Sequence, residues 1–293
     1  MVKISIVGAG RLGSTIAFSI AKERLATEMV LVDIIENLVM GEELDIGQTC
    51  IMPTVGTMDY SAIEGSEIVV VVAGIARKPD MTREQLLGTN IKIMKSVIAE
   101  VKKHAPEAKL LIVSNPVDPL TYVALRESGS KREMVFGMGG AVDSLRFRYF
   151  LGKEFEVPVE QVEGMVIGQH GEVMIPLTRS VKIRSKPIDQ GKLKNAIAKT
   201  RDAGRAVIEL KGATFYAPAH GTSLVVKAMV EDRKELIPSS VLLEEHKVCM
   251  GMPAIIGRNG VEKVLEPELT EEERAEFQAA VKAIRSSLEP FGY

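Results

Sequence analysis

The stretch Val2-Lys3-Ile4-Ser5-Ile6-Val7-Gly8-Ala9-Gly10-Arg11-Leu12-Gly13 decides how the chain folds. Residues 2–7 read as a buried strand, and the glycine pattern follows at once. A helical pattern then runs from about Leu12 to Lys22. A second strand, Met29 to Val32, ends at Asp33, twenty residues past Gly13. A lone G-x-G-x-x-G says little, but strand, glycine loop, helix, strand and terminal acid in one unit read as a dinucleotide site. Gly8 permits a tight turn, Gly10 lets backbone amides reach a pyrophosphate, and Gly13 lets helix and strand pack closely. Ala9, Arg11 and Leu12 complete the loop, and the helix N-terminus favours negative charge. Asp33 is placed to accept hydrogen bonds from a ribose and would repel a 2′-phosphate. NAD is therefore favoured over NADP.

Outward from this unit, strands and helices keep alternating. Glu36 to Gln48 reads as helix, Glu67 to Val72 as a buried strand ending in Ala73-Gly74, Lys92 to His104 as helix, and Lys109 to Val113 as strand. Near-continuous Val/Ile runs separated by helices predict a parallel sheet covered on both faces, with ligands at the carboxyl ends of its strands. Gly74 and Asn115 fall at such ends, the latter in Ser114-Asn115-Pro116-Val117-Asp118-Pro119. Past Pro158 the pattern changes. Strands are expected at Val162 to Ile167 and Met174 to Ile183, then helices at about Lys192 to Lys211 and Gly221 to Glu231. Short strands in 237–265 and a helix from Glu271 to Leu288 complete the chain. The fold class is α/β: a Rossmann doubly wound parallel sheet over residues 1–140, followed by an α+β substrate domain over 141–293 with the site in the crevice between.

Composition removes several classes. The 293 residues are 46% hydrophobic, enough for one large core or two moderate ones, and the net charge of −2 gives no reason to expect a surface for nucleic acid or an anionic membrane. The longest apolar run, Ile68 to Ala76, is too short to span a bilayer. The two cysteines, Cys50 and Cys249, form no C-x-x-C or Cys/His cluster, which points to a reducing cytoplasm and to no structural metal.

His170 lies in Val166-Ile167-Gly168-Gln169-His170-Gly171-Glu172, between two glycines and off any apolar face. A surface-turn histidine is the ordinary reading; a proton donor and acceptor near neutral pH is the functional one. Asp143 and Arg146, three apart on a predicted helix, share a face. As a surface ion pair they carry little energy. As site groups, Asp143 would orient and charge the imidazole while Arg146 would clamp a carboxylate with two parallel hydrogen bonds. Arg77, Lys78 and Arg83 sit on the polar stretch after Gly74, where a loop closing over an anionic ligand is an alternative to a solvated charge run.

Taken together, the glycine loop, Asp33, Arg-Lys-Pro-x-Met-x-Arg (77–83), Ser-Asn-Pro-Val-Asp (114–118), Val-Asp-Ser-x-Arg-Phe-Arg (142–148) and Gly-x-His-Gly-Glu (168–172) resemble, in order and over essentially the whole chain, the lactate/malate dehydrogenase family. The resemblance implies that His170 is the proton donor and acceptor with Asp143 as its partner. It implies that Arg146 binds a C1 carboxylate, that Arg83 polarises the reacting carbonyl, and that Asn115 touches both substrate and cofactor. Asn90, Val113 and Ser114 fall at positions the family uses around NAD. Arg77 stands where malate enzymes carry arginine and lactate enzymes usually glutamine, so a dicarboxylate is the expected substrate. With pyruvate that cation would face a methyl group. Gln169, where many relatives have an acid or glycine, and the loose match over 211–218 are departures. A lactate or other 2-hydroxyacid dehydrogenase is the nearest alternative, and a non-catalytic NAD-binding sensor the alternative from another class. The family also implies a homo-oligomer, dimeric or tetrameric.

Overall fold

β1 (Lys3–Val7) is central because its Ile/Val run can be buried on both faces. It pairs in parallel with β2 (Glu28–Val32) on one side and β4 (Ile68–Val71) on the other. The computed structural model describes residues 2–49, 52–76, 81–171, 173–184 and 186–293. Parallel pairing continues outward from β2 to β3 (Thr54–Thr57), and from β4 through β5 (Lys109–Ile112) to β6 (Val135–Gly137). The order 3-2-1-4-5-6 is that of a doubly wound nucleotide-binding sheet. Its helices are α1 (Arg11–Glu23), α2 (Glu36–Gly47), α3 (Arg83–His104) and α4 (Val117–Ser128).

The second half supplies α5 (Gly139–Phe155), β7 (Val162–Gln169), β8 (Val173–Ile183), α6 (Gln190–Lys211), α7 (Tyr216–Val230), β9 (Glu235–Leu243), β10 (Val248–Gly257), β11 (Gly260–Val264) and α8 (Glu271–Leu288). Its strands pair antiparallel, yet they join the first sheet in one path through two narrow junctions. Gly137 meets Ser240 between β6 and β9, and Gly251 meets Gly168 between β10 and β7. Both junctions need glycine for closeness. A Cβ on Gly137 would stand 2.4 Å from Thr121 Oγ1, and one on Gly251 would stand 2.8 Å from the Gly168 carbonyl. The main core runs from β1 to the end of α8, while a smaller one is confined to α5, β7, β8 and α6 around Phe147, Leu151, Phe155 and Val166. The expected boundary after residue 140 falls in the first turn of α5.

Several elements begin earlier than their sequence pattern predicts. α3 starts at Arg83 and not Lys92, because Thr82 and Gln85 form a reciprocal capping box. Gly88 inside that helix weakens the helical reading. It is there for space: a Cβ would meet Phe291 Cε1 at 2.8 Å. α7 starts at Tyr216 and not Gly221, with Pro218 in its first turn, where a missing N–H costs little. β3, β6 and α4 are not marked by the periodicity at all. α4 follows a cis Asn115–Pro116 bond and carries Pro119 within its first turn.

Candidate active site

The glycine loop leaves the C-terminal end of β1 and enters α1 at Gly10. Gly8 has φ of +101°, and a Cβ there would meet Ala73 N at 2.7 Å. A Cβ on Gly13 would lie 1.8 Å from the Gly8 carbonyl, so helix and loop pack at backbone contact. Gly10 faces open space, with nothing within 4 Å of where its Cβ would be, and no side chain caps α1. The first-turn amides, including those of Arg11 and Leu12, thus lack a capping side chain where a phosphate would approach. Asp33, at the end of β2, accepts from the Ala9 amide at 2.7 Å and from the Ile35 amide at 3.0 Å. A carboxylate offers about four acceptor sites, so Asp33 can brace the loop and still receive ribose hydroxyls. These residues fit a dinucleotide.

Neighbouring strand ends extend the cradle. Ser114, past β5, donates its hydroxyl to the Ala73 carbonyl at 2.7 Å, and the Val113 amide donates to Val71 at 2.8 Å, locking the β4 and β5 exits together. Asn90 is buried in α3. Its Oδ1 accepts from the Ile75 amide at 2.9 Å, and its Nδ2 donates to the Asn115 carbonyl at 2.7 Å and the Ile75 carbonyl at 3.2 Å. Both amide protons of Asn90 are therefore spent on backbone, and its place is that of a brace joining the Gly74 and Asn115 loops. Gly74 and Asn115 themselves are exposed at the strand ends.

His170 sits in the turn between β7 and β8. Its Nδ1 lies 2.7 Å from Asp143 Oδ2, and the other oxygen of Asp143 accepts from Arg146 Nη1 at 3.0 Å. Asp143 is 2% exposed, His170 17% and Arg146 12%. Arg146 lies over Gly204 of α6, where a Cβ would stand 3.6 Å from its guanidinium nitrogens. At the start of α5, Gly139 gives His170 its clearance: a Cβ there would come within 3.0 Å of the histidine's own Cβ. Burial alone would push the His170 pKa down, but the charge and hydrogen bond of Asp143, with a further contribution from Asp118, outweigh burial and raise it.

One site residue differs from expectation in placement. Arg83 is the first residue of α3 and exposed, not part of an open loop. Arg77 lies outside the described residues. One group went unread. Asp118, in the first turn of α4, is buried and accepts from the His170 amide at 2.7 Å and from Ser240 Oγ at 2.6 Å. In the sequence it stands only as part of the Ser114–Pro119 stretch; its burial marks it. Among the described residues no group of His, Cys, Asp and Glu could hold a metal ion.

A dinucleotide cradle on a 3-2-1-4-5-6 sheet, facing a histidine paired to a buried carboxylate on an attached α/β region, defines a nucleotide-dependent dehydrogenase. Residues 2–137 match the family described as lactate/malate dehydrogenase, NAD binding domain, and 141–291 the corresponding alpha/beta C-terminal domain. The chain belongs to the lactate/malate dehydrogenase family, and its cofactor is NAD. It is 40% identical to the malate dehydrogenase of Bacteroides thetaiotaomicron, over 98% of this chain and 97% of that one. It is 38% identical to that of a Geobacillus species, over 97% and 96%. Among solved structures it superimposes on a malate dehydrogenase from Cryptosporidium parvum with a TM-score of 0.93 at 34% identity, covering 99% and 98% of the two chains. A lactate dehydrogenase from a deep-sea metagenome library gives 0.94 at 27% identity, covering 100% and 99%.

Proposed function

We propose that the protein is an NAD-dependent malate dehydrogenase, interconverting malate and oxaloacetate. The observation that carries the chemistry is the Arg146–Asp143–His170 chain, with contacts of 3.0 and 2.7 Å beside the cofactor loops. NAD, when bound, supplies the hydride chemistry. His170 takes the hydroxyl proton during oxidation and returns it during reduction, and Asp143 fixes the ring and stabilises its charged form. Arg146 has one nitrogen engaged by Asp143 and presents the rest of its fork to the substrate's C1 carboxylate. Arg83 polarises the carbonyl. Gly8, Ala9, Gly10, Arg11, Leu12, Gly13, Asp33, Gly74, Val113, Ser114 and Asn115 line the cofactor's path, and Asn90 braces it.

The choice of a dicarboxylate rests on Arg77 and on the names of the relatives. A lactate dehydrogenase superimposes as well as a malate dehydrogenase, so the backbone does not choose between them. Replacing Arg77→Gln tests the assignment. The variant's kcat/KM for oxaloacetate falls by ~10²–10³, and pyruvate gains relative to it. An unchanged preference would remove Arg77 from the account.

The same reading includes a division at residues 1–140 and 141–293, a cytoplasmic location and a homo-oligomer. Exposed Phe18 on α1 with Met40 and Leu44 on the adjoining α2 supports the last, since apolar side chains on neighbouring helices suit a partner subunit. Light scattering on the purified protein reads the assembly directly, and a monomer at micromolar concentration would count against it.

A further inference from the structure

The fold buries a second carboxylate behind the histidine. Asp118 is 1% exposed. One of its oxygens accepts the His170 amide at 2.7 Å and the other the Ser240 hydroxyl at 2.6 Å. The residue belongs to the turn of α4 that follows Asn115-Pro116, so it ties the cofactor-side loop to the histidine turn across the two halves of the chain. An asparagine could serve this geometry, accepting from the His170 amide through its oxygen and donating to Ser240. What the carboxylate adds is charge, and a buried charge is costly unless it is paired and hydrogen-bonded.

The titratable and charged groups around it are few. His170 faces it from the β7–β8 turn, Asp143 and Arg146 act on that same ring from α5, and the Cys249 thiol faces it from β10. Burial and the Asp118 charge push the Cys249 thiol well up, so it stays neutral. Burial pushes Asp118 up to about 6, against the bonds from Ser240 and His170, which leaves it ionised at neutral pH.

We propose that Asp118 is a positioning residue for the proton-transfer histidine: it fixes the His170 turn through the backbone amide, and its charge joins that of Asp143 in favouring the imidazolium. This rests on the assignment of His170 made above. Two carboxylates from different helices then act on one residue, Asp143 through the ring and Asp118 through the backbone amide of the β7–β8 turn.

Asp118→Asn separates charge from geometry. In the full-length protein, the pH profile of kcat/KM for oxaloacetate with NADH shifts its fall-off to lower pH. This reads as a severalfold loss on the alkaline limb with less than about a twofold change at about pH 5.5. A residue that only holds the backbone would leave the inflection where it is in the wild type, and that result overturns the proposal. If the variant does not fold, carbon-13 NMR of the wild-type Asp118 carboxyl decides. A second inflection coinciding with the His170 titration supports the coupling, and a single-step curve overturns it. Should the wild type fail to turn over oxaloacetate, the malate assignment falls, while the carboxyl titration still judges Asp118.

Discussion

At the residue scale, Asp143 serves two cations with one carboxylate, and His170 answers to two carboxylates. The raised His170 pKa sets the direction of the pH dependence. Its folded value lies above the free value, so oxaloacetate reduction is full at low pH and falls as pH rises through it, while malate oxidation rises over the same window. Rate–pH profiles in both directions check the sign. His170→Asn is expected to bind NADH within a few-fold of wild type and to lose ~10²–10⁴ in kcat, measured by fluorescence titration and by absorbance at 340 nm. Near-normal turnover would transfer the proton step to another group. Asp118 also makes a stability prediction. Its pKa is about 6 when folded against 3.8 as the reference, so the folded state holds the proton more tightly and stability drops as pH climbs from about 4 through 6. Asp118→Asn removes that penalty, up to about 3 kcal/mol for a two-unit shift. Its melting temperature should exceed wild type at pH 8 and match it near pH 4; a lower value at pH 8 would show that the charge is well compensated.

At the scale of elements, the first β-α-β unit was legible in the sequence. Apolar runs bounded by glycine can form little else, and Asp33 marks the end of β2. α8 was legible to the residue, and in the structure Thr270 and Glu273 cap its start. The start of α3 was hidden by Gly88, whose reason for being glycine is Phe291, far away in sequence. Asp118 was hidden for the same kind of reason, since burial by Ser240 and His170 is a tertiary property. The glycine loop yields a paired prediction. Gly13→Ala forces a methyl into the Gly8 carbonyl and should cost ~1–3 kcal/mol or more with loss of NADH binding. Gly10→Ala has open space around it and should melt like wild type while binding NADH poorly, because the methyl occupies the phosphate's approach. Urea melts and NADH titrations distinguish the two; equal destabilisation would contradict the packing described for the loop.

At the scale of the whole molecule, two single-pair junctions, both built on glycine, carry one sheet from the nucleotide half into the histidine half. That continuity sets His170 against the loops of β5 without a long linker, and it explains why so much of the site lies between elements distant in sequence. The general class was readable from motifs because each motif needs particular residues. The substrate was readable only from Arg77, since both lactate and malate enzymes share this backbone closely. The most direct measurement is therefore NADH oxidation by the purified wild-type protein with oxaloacetate and with pyruvate offered separately. The account predicts a kcat/KM ratio of ~10³ or more in favour of oxaloacetate. A preference for pyruvate, or silence with both despite tight NADH binding, would contradict it.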